Sequence, residues 1–251
     1  MSANKDQAIS LRIIKYSETS QIVTLFGRNS GRIRAIAKGA RKAKSKFDGG
    51  LDLLTAGNVV YYPSRSGDAL ATLGEFEITE SFSDLRTNLL ALYCSQFAAE
   101  ILTEFTEDFD PHPNLYDVFR QTLHNLTHAD RPDVALLSFQ LTLLQEIGLS
   151  PVWTNCTLCR QTVPADQTAQ FSSNAGGVVC KNCQSKTPKK QSVKPQVLNL
   201  LQNPQNAAAT PPHTIVDAHV LLCYHQCELI GRPLKTMSLA HTMLRKFCAQ
   251  Q

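Results

Sequence analysis

A chain of 251 residues that is 43% hydrophobic and 18% charged holds enough apolar material for a packed core, which excludes a disordered or fibrous protein. No apolar run approaches the ~18 residues of a membrane span, and the polar start Met1-Ser2-Ala3-Asn4-Lys5-Asp6 is unlike a signal peptide, so the expected location is the cytoplasm, with no membrane partner. The formal net charge of +4 is unevenly spread: residues 1–80 carry 12 basic and 8 acidic side chains, residues 81–150 carry 3 and 10, and residues 151–251 carry 10 and 3.

Residues 9–80 read as β structure. Runs rich in Ile, Val, Leu and aromatics at 9–16, 21–26, 31–38, 57–62 and 69–77 are separated by turn signals at Gly27 to Gly31, Gly49-Gly50 and Pro63-Ser64-Arg65-Ser66-Gly67. Five such strands predict a small closed or nearly closed barrel, of which the oligonucleotide-binding OB-fold is the best-known basic example. From Arg28 to Lys46 the chain has eight basic residues and no acidic one: Arg28, Arg32, Arg34, Lys38, Arg41, Lys42, Lys44 and Lys46. Part of this run lies on a predicted strand, and a concentrated positive surface on a folded sheet attracts a polyanion, nucleic acid first among them. The competing reading is a solvated lysine-rich loop. Tyr16, Phe26, Phe47 and Tyr61 are candidate stacking faces for bases, although several of them must fill the barrel core.

After residue 80 the apolar period becomes helical. Leu85, Leu89, Leu92, Phe97, Ile101, Leu102 and Phe105 form one series, Leu115, Val118, Phe119, Leu123 and Leu126 a second, and a third runs from Pro132 to a C-terminal stop at Gly148. Between the first two, Glu107-Asp108-Phe109-Asp110-Pro111-His112-Pro113 reads as an exposed acidic loop. Further helices are expected at 194–201, 214–230 and 238–248, with a loop at 204–212.

Eight cysteines in a reducing compartment are not a disulfide framework by default. Cys156-Thr157-Leu158-Cys159 and Cys180-Lys181-Asn182-Cys183 give two C-x2-C knuckles separated by twenty residues. Two residues between thiolates let one turn present both sulfurs to one metal, and two knuckles complete a tetrahedral S4 site for one zinc ion, with Ala175-Gly176-Gly177 as a turn before the second. A zinc with all four positions filled by protein is structural. Lys181, Lys186, Lys189, Lys190 and Lys194 surround this module, either as phosphate contacts or as a solvated lysine surface. Cys223 and Cys227, with His219 one turn earlier, are spaced to line up metal ligands on one helix face, whereas buried cysteine on an apolar face is the commoner arrangement. No phosphate loop, dinucleotide fingerprint, H-E-x-x-H or G-x-S-x-G occurs, so no catalytic residue is assigned and an enzyme is not expected.

The order of Glu18-Thr19-Ser20, Ser30-Gly31-Arg32 and Ala37-Lys38-Gly39-Ala40-Arg41 resembles the N-terminal signature of the RecO family of bacterial recombination mediators. The run Gly148-Leu149-Ser150-Pro151 into Cys156-x2-Cys159 resembles that family's approach to its zinc module, and Gly231-Arg232-Pro233-Leu234-Lys235-Thr236 its closing element, with threonine in place of serine. The resemblance implies an α+β protein: an N-terminal OB-fold β-barrel followed by a mainly α-helical domain with an inserted C4 zinc module. The boundaries expected are 1–80 for the barrel, 81–150 for the first helical part, 151–192 for the zinc module and 193–251 for the second helical part. It also implies DNA repair and recombination: binding of single- and double-stranded DNA, annealing of complementary strands and, with RecR, loading of RecA onto DNA coated by single-strand binding protein. Two other readings stand beside it, a protein-docking scaffold with weak DNA binding and a metal-dependent nucleic-acid hydrolase.

Overall fold

The computed structural model describes residues 2–42, 47, 51–64 and 70–251; Lys44, Lys46, the Gly49-Gly50 turn and residues 65–67 lie outside the described residues. The chain divides into two compact units, Met1–Asn88 with Ala99–His124, and Leu89–Ala98 with Asn125–Gln251.

The first unit is built on five strands, β1 (Asn4–Lys15), β2 (Gln21–Gly27), β3 (Gly31–Ala37), β4 (Ala56–Tyr62) and β5 (Ala71–Glu80), closed into a barrel in the order β1-β2-β3-β5-β4. β3 runs parallel to β5, with Ala35 opposite Ala71, and the other pairs are antiparallel, which is the connectivity of an OB-fold. Closure rests on β1. Its residues Asn4 to Ile9 pair with β4 and Ala8 to Lys15 pair with β2, so one strand serves both neighbours and leaves no edge. The sequence predicts this strand from residue 9; it starts at Asn4 because Asn4, Lys5, Asp6 and Gln7 are polar and give no hydrophobic signal, yet their backbone completes the β4 ladder. Along β3 the side chains alternate: Ile33, Ala35 and Ala37 are fully buried among Val23, Leu25, Leu73 and Phe76, while Arg32, Arg34 and Ile36 point to the other face.

Helix α1 (Leu89–Phe105) and helix α2 (Pro113–His128) follow, joined by the acidic segment. That segment is not a free loop. The Phe109 N–H donates to the Arg32 carbonyl (3.0 Å), and the half-buried Asp108 accepts Arg32 Nε at 2.6 Å on one carboxylate oxygen and Arg34 Nε at 2.5 Å on the other. Two arginines on the outer face of β3 therefore capture the acidic chain passing beside them. Gly31 makes the approach possible: it sits at φ 65°, where other residues are strained, and a Cβ there would collide with the Asp110 backbone.

In the second unit α3 (Pro132–Glu146), α4 (Pro195–Gln202), α5 (Pro212–Ile230) and α6 (Met237–Cys248) each lie close to the predicted helical runs, and the first three open on a proline whose missing N–H costs nothing in a first turn. At the end of α3, Gly148 (φ 72°) turns the chain so that Leu149 N–H reaches back to the Leu144 carbonyl (2.8 Å). The expected loop at 204–212 contains a 3-10 helix, Pro204–Ala209. Between α3 and α4 the sequence marks only knuckles and a turn; the structure adds a small antiparallel sheet of β6 (Ala169–Ser172), β7 (Gly177–Val179) and β8 (Gln191–Val193), ordered β7-β6-β8. Strands of three or four residues are too short to show an alternation.

A buried polar network runs through the helices. His219 Nδ1 lies 2.5 Å from Gln140 Oε1; that oxygen only accepts, so Nδ1 carries the proton, and Gln140 Nε2 donates to Gln226 Oε1 at 2.9 Å. Burial, and next the adjacent His241, pushes His219 well below the usual histidine range; burial, and next Arg245, lowers His241. Both rings are therefore neutral near pH 7.

Removing one partner of the Asp108 pairs leaves two half-screened guanidinium groups, so Asp108→Asn is expected to destabilise the barrel unit by about 1–3 kcal/mol, between the surface and buried limits for ion pairs. Burial raises the Asp108 carboxyl, but hydrogen bonds and charge from Arg32 and Arg34 outweigh it and the folded value is depressed. The stabilisation is then complete above the unfolded carboxylate value of about 3.9 and lost as pH falls below it. Thermal unfolding of wild type and Asp108→Asn at pH 7 and pH 3 checks this: the gap should narrow at the lower pH.

Candidate nucleic-acid interface and metal centre

The eight basic candidates divide by what they already hold. Arg28 clasps Asp117 in a two-point pair (Nε to Oδ1 3.0 Å, Nη2 to Oδ2 2.7 Å), and Arg32 and Arg34 share Asp108. Arg32 also donates to the Thr103 carbonyl. Lys38, Arg41 and Lys42 are exposed, and among the described residues none of the three is paired with a carboxylate. Lys44 and Lys46 lie outside the described residues.

Arg41 ties its turn to the β1–β2 loop: its N–H donates to the Thr19 carbonyl (3.1 Å) and its guanidinium to the Glu18 carbonyl (3.1 Å), leaving the charge itself without an anion. At the start of the same loop Tyr16 is 63% exposed. The other three candidate stacking faces are spent on the core, since Phe26, Phe47 and Tyr61 are all 3% exposed or less. Of the described candidates, one aromatic and three cations thus remain open along this loop and the end of β3. The arginine pairs lay beyond a sequence reading because their partners are 74 to 89 residues away. The one available signal was the match between a basic run at 28–46 and acids at 107–117.

The lysines of the C-terminal half are partly tethered. Lys194 pairs with Asp217 (2.8 Å), Lys189 with Glu228 (3.5 Å), and Lys190 donates to the Gln184 carbonyl (2.7 Å).

The cysteine quartet comes together as its spacing predicts. The sulfurs of Cys156, Cys159, Cys180 and Cys183 all lie within 4.8 Å of one another, with Cys159 and Cys180 at 3.7 Å. Each knuckle is closed by its own backbone: Arg160 N–H donates to the Cys156 carbonyl (2.8 Å) and Gln184 N–H to the Cys180 carbonyl (3.1 Å). The donor chemistry fits a cation. Burial raises the Cys156 thiol, but backbone groups of Cys180, Cys159 and Leu158 outweigh it and bring it down to about 6. Burial and then the sulfurs of Cys180, Cys159 and Cys156 drive Cys183 up to about 12. Four thiolates this close repel one another, and a metal ion between them removes the repulsion.

The quartet sits in the same core as the helices around it. Trp153 stacks on Phe171 (centroids 5.0 Å), and Phe171, Val178 and Val193 join Leu144, Leu198 and Leu222 in one buried cluster. His225 of α5 fastens the sheet: the Ser173 hydroxyl lies 2.8 Å from its Nδ1, and Nε2 donates to the Leu149 carbonyl at 3.2 Å. With only three or four residues per strand, this sheet depends on the helices it packs with in that cluster, to which Cys156 and Cys183 also belong.

Residues 1–82 match the family profile described as "Recombination protein O N terminal" and residues 86–237 that described as "Recombination protein O C terminal". The chain is 34% identical over 209 residues to the DNA repair protein RecO of Rhodopirellula baltica, covering 83% of this chain and 77% of that protein. It is 30% identical to the proteins of the same name from Halalkalibacterium halodurans (199 residues, 79% and 76%) and Bacillus mycoides (198 residues, 79% and 77%).

Cys159 is exposed, so Cys159→Ser removes a ligand without opening a cavity. The variant is expected to lose one equivalent of metal per chain by elemental analysis and to melt several degrees lower; a variant retaining both metal and melting temperature would show that the quartet does not hold an ion.

Proposed function

The chain belongs to the RecO family, and on that premise we propose that it is a DNA repair and recombination mediator that binds single- and double-stranded DNA and anneals complementary strands. With RecR it would help load RecA onto DNA coated by single-strand binding protein. The observation that carries the reading is the open set of Lys38, Arg41 and Lys42 beside exposed Tyr16, at the β1–β2 loop of an OB barrel, where that fold commonly takes oligonucleotides. Lys44 and Lys46 add two more positive charges a few residues further along the sequence.

Annealing needs no covalent step. Two strands repel through their phosphates, and cations that neutralise both lower that repulsion, while an aromatic face holds a base without choosing its identity. The paired arginines have a different part. Arg28, Arg32 and Arg34 shape the outer face of β3 by gripping Asp117 and Asp108 and contribute less to phosphate binding than their number suggests. The quartet takes zinc, whose tetrahedral preference and affinity for thiolate match four cysteine sulfurs, and its role is structural because no position is left for water or substrate. The protein is then a non-enzymatic binder, working on the nucleoid in the bacterial cytoplasm.

One observation favours a second reading. Three of the six described basic candidates are tied to two carboxylates within their own unit, which would leave a scaffold whose DNA binding fades at physiological salt.

Replacing Lys38, Arg41 and Lys42 together by alanine separates the two. Three lost contacts with single-stranded DNA should flatten the plot of log K against log salt by about 2, at about 0.7 per phosphate, and slow annealing with little change in melting temperature. Unchanged annealing and an unchanged salt slope would remove the proposed interface; negligible DNA binding by the wild type at low salt would favour the scaffold.

A further inference from the structure

Besides the quartet, the second unit holds another group of soft donors. His219 and Cys223 stand one turn apart on α5 and His241 faces them from α6; one ligand atom from each lies within 4.8 Å of the other two. The tautomer of His219 is fixed for coordination. Its Nδ1–H is held by Gln140 Oε1, so Nε2 carries the free lone pair, and that atom is 3.7 Å from Cys223 Sγ. Tetrahedral zinc separates a bound nitrogen and sulfur by about 3.5 Å, so this pair already has the required spacing.

Two further observations point to a ligand. His241 Nε2 is buried with no hydrogen-bond partner. An orphaned polar atom is costly, and this one belongs to the cluster of metal-binding side chains. A surface groove of about 550 Å³, lined by Cys223, Cys227, Met237, His241, Glu228 and Arg232, reaches the cluster and gives an ion a path inward.

We infer that His219, Cys223 and His241 form a second metal site, distinct from the cysteine quartet, that takes a thiophilic divalent cation of the zinc class. Thiolate and imidazole are both ligands that such an ion takes, with the fourth position open to a groove water or to Cys227 one turn along α5. Binding breaks the Cys223 S–H bond and forms a metal–sulfur bond, releasing the proton to solvent. Because the ligands come from two helices, the ion would clamp α6 to α5. The inference stands independently of the DNA-binding reading.

The test counts metal. Reduced full-length wild type, His241→Phe and Cys223→Ala are saturated with zinc, freed of excess and analysed for metal per chain. The wild type should hold one equivalent more than either variant, while both variants keep the quartet's ion. Cobalt titration of the wild type alone is a second measurement that needs no variant: two classes of tetrahedral cobalt are expected, one with strong four-thiolate charge transfer and one with a much weaker single-thiolate band. Equal zinc in all three proteins, or a single cobalt class in the wild type, would overturn the site and leave His219, Cys223 and His241 as a packed core cluster.

Discussion

Asp108 holds Arg32 and Arg34 at once, and much of the barrel's surface chemistry depends on that sharing. A strand that carries Arg32 and Arg34 on one face would, left alone, be a patch of unscreened positive charge. The carboxylate cancels half of it, draws the chain at 107–110 against β3 and obliges residue 31 to be a glycine. What remains for an external polyanion is displaced toward the end of β3, where Lys38, Arg41 and Lys42 carry charges that no described carboxylate satisfies. Positive charge along a sequence is therefore a poor measure of positive charge offered to a ligand; the pairing decides.

The features that sequence made visible are those set by neighbours in the chain. The inward face of β3 shows in the alternation of Ile33, Ala35 and Ala37, and the helices show in leucine and phenylalanine spacings ending at Gly148. The Cys156, Cys159, Cys180 and Cys183 site is legible because a two-residue gap is itself the geometry of a knuckle. The parts that could not be read are set by distant residues. The polar start of β1 gains its structure from β4, the Asp108 and Asp117 pairs link residues more than 70 positions apart, and His241 meets Cys223 from another helix. Only Tyr16 stays open among the four candidate stacking aromatics, and no local pattern distinguishes it from Phe26, Phe47 or Tyr61.

The second unit shows a different economy. Its short sheet has little core of its own, and Trp153, Phe171 and Val178 complete it with leucines from α3, α4 and α5. His225 ties the residue after β6 to α5 through Ser173 and also holds the Leu149 carbonyl, and Cys156 and Cys183 are buried in the same cluster as those leucines. The cysteine quartet and hydrophobic burial thus meet on the same few strands, so an ion held by the quartet would steady the helices as well as the knuckles.

The central claim is that DNA is taken at the β1–β2 loop and the end of β3, while the arginine–aspartate pairs stay intact. Hydrogen–deuterium exchange of the full chain with and without a single-stranded oligonucleotide tests it most directly. Protection at residues 16–20 and 38–42, with no change at 107–117, is the predicted result. Exposure of 107–117 together with protection at 28–34 would mean that DNA displaces Asp108 and Asp117 and binds the arginines, which contradicts the account.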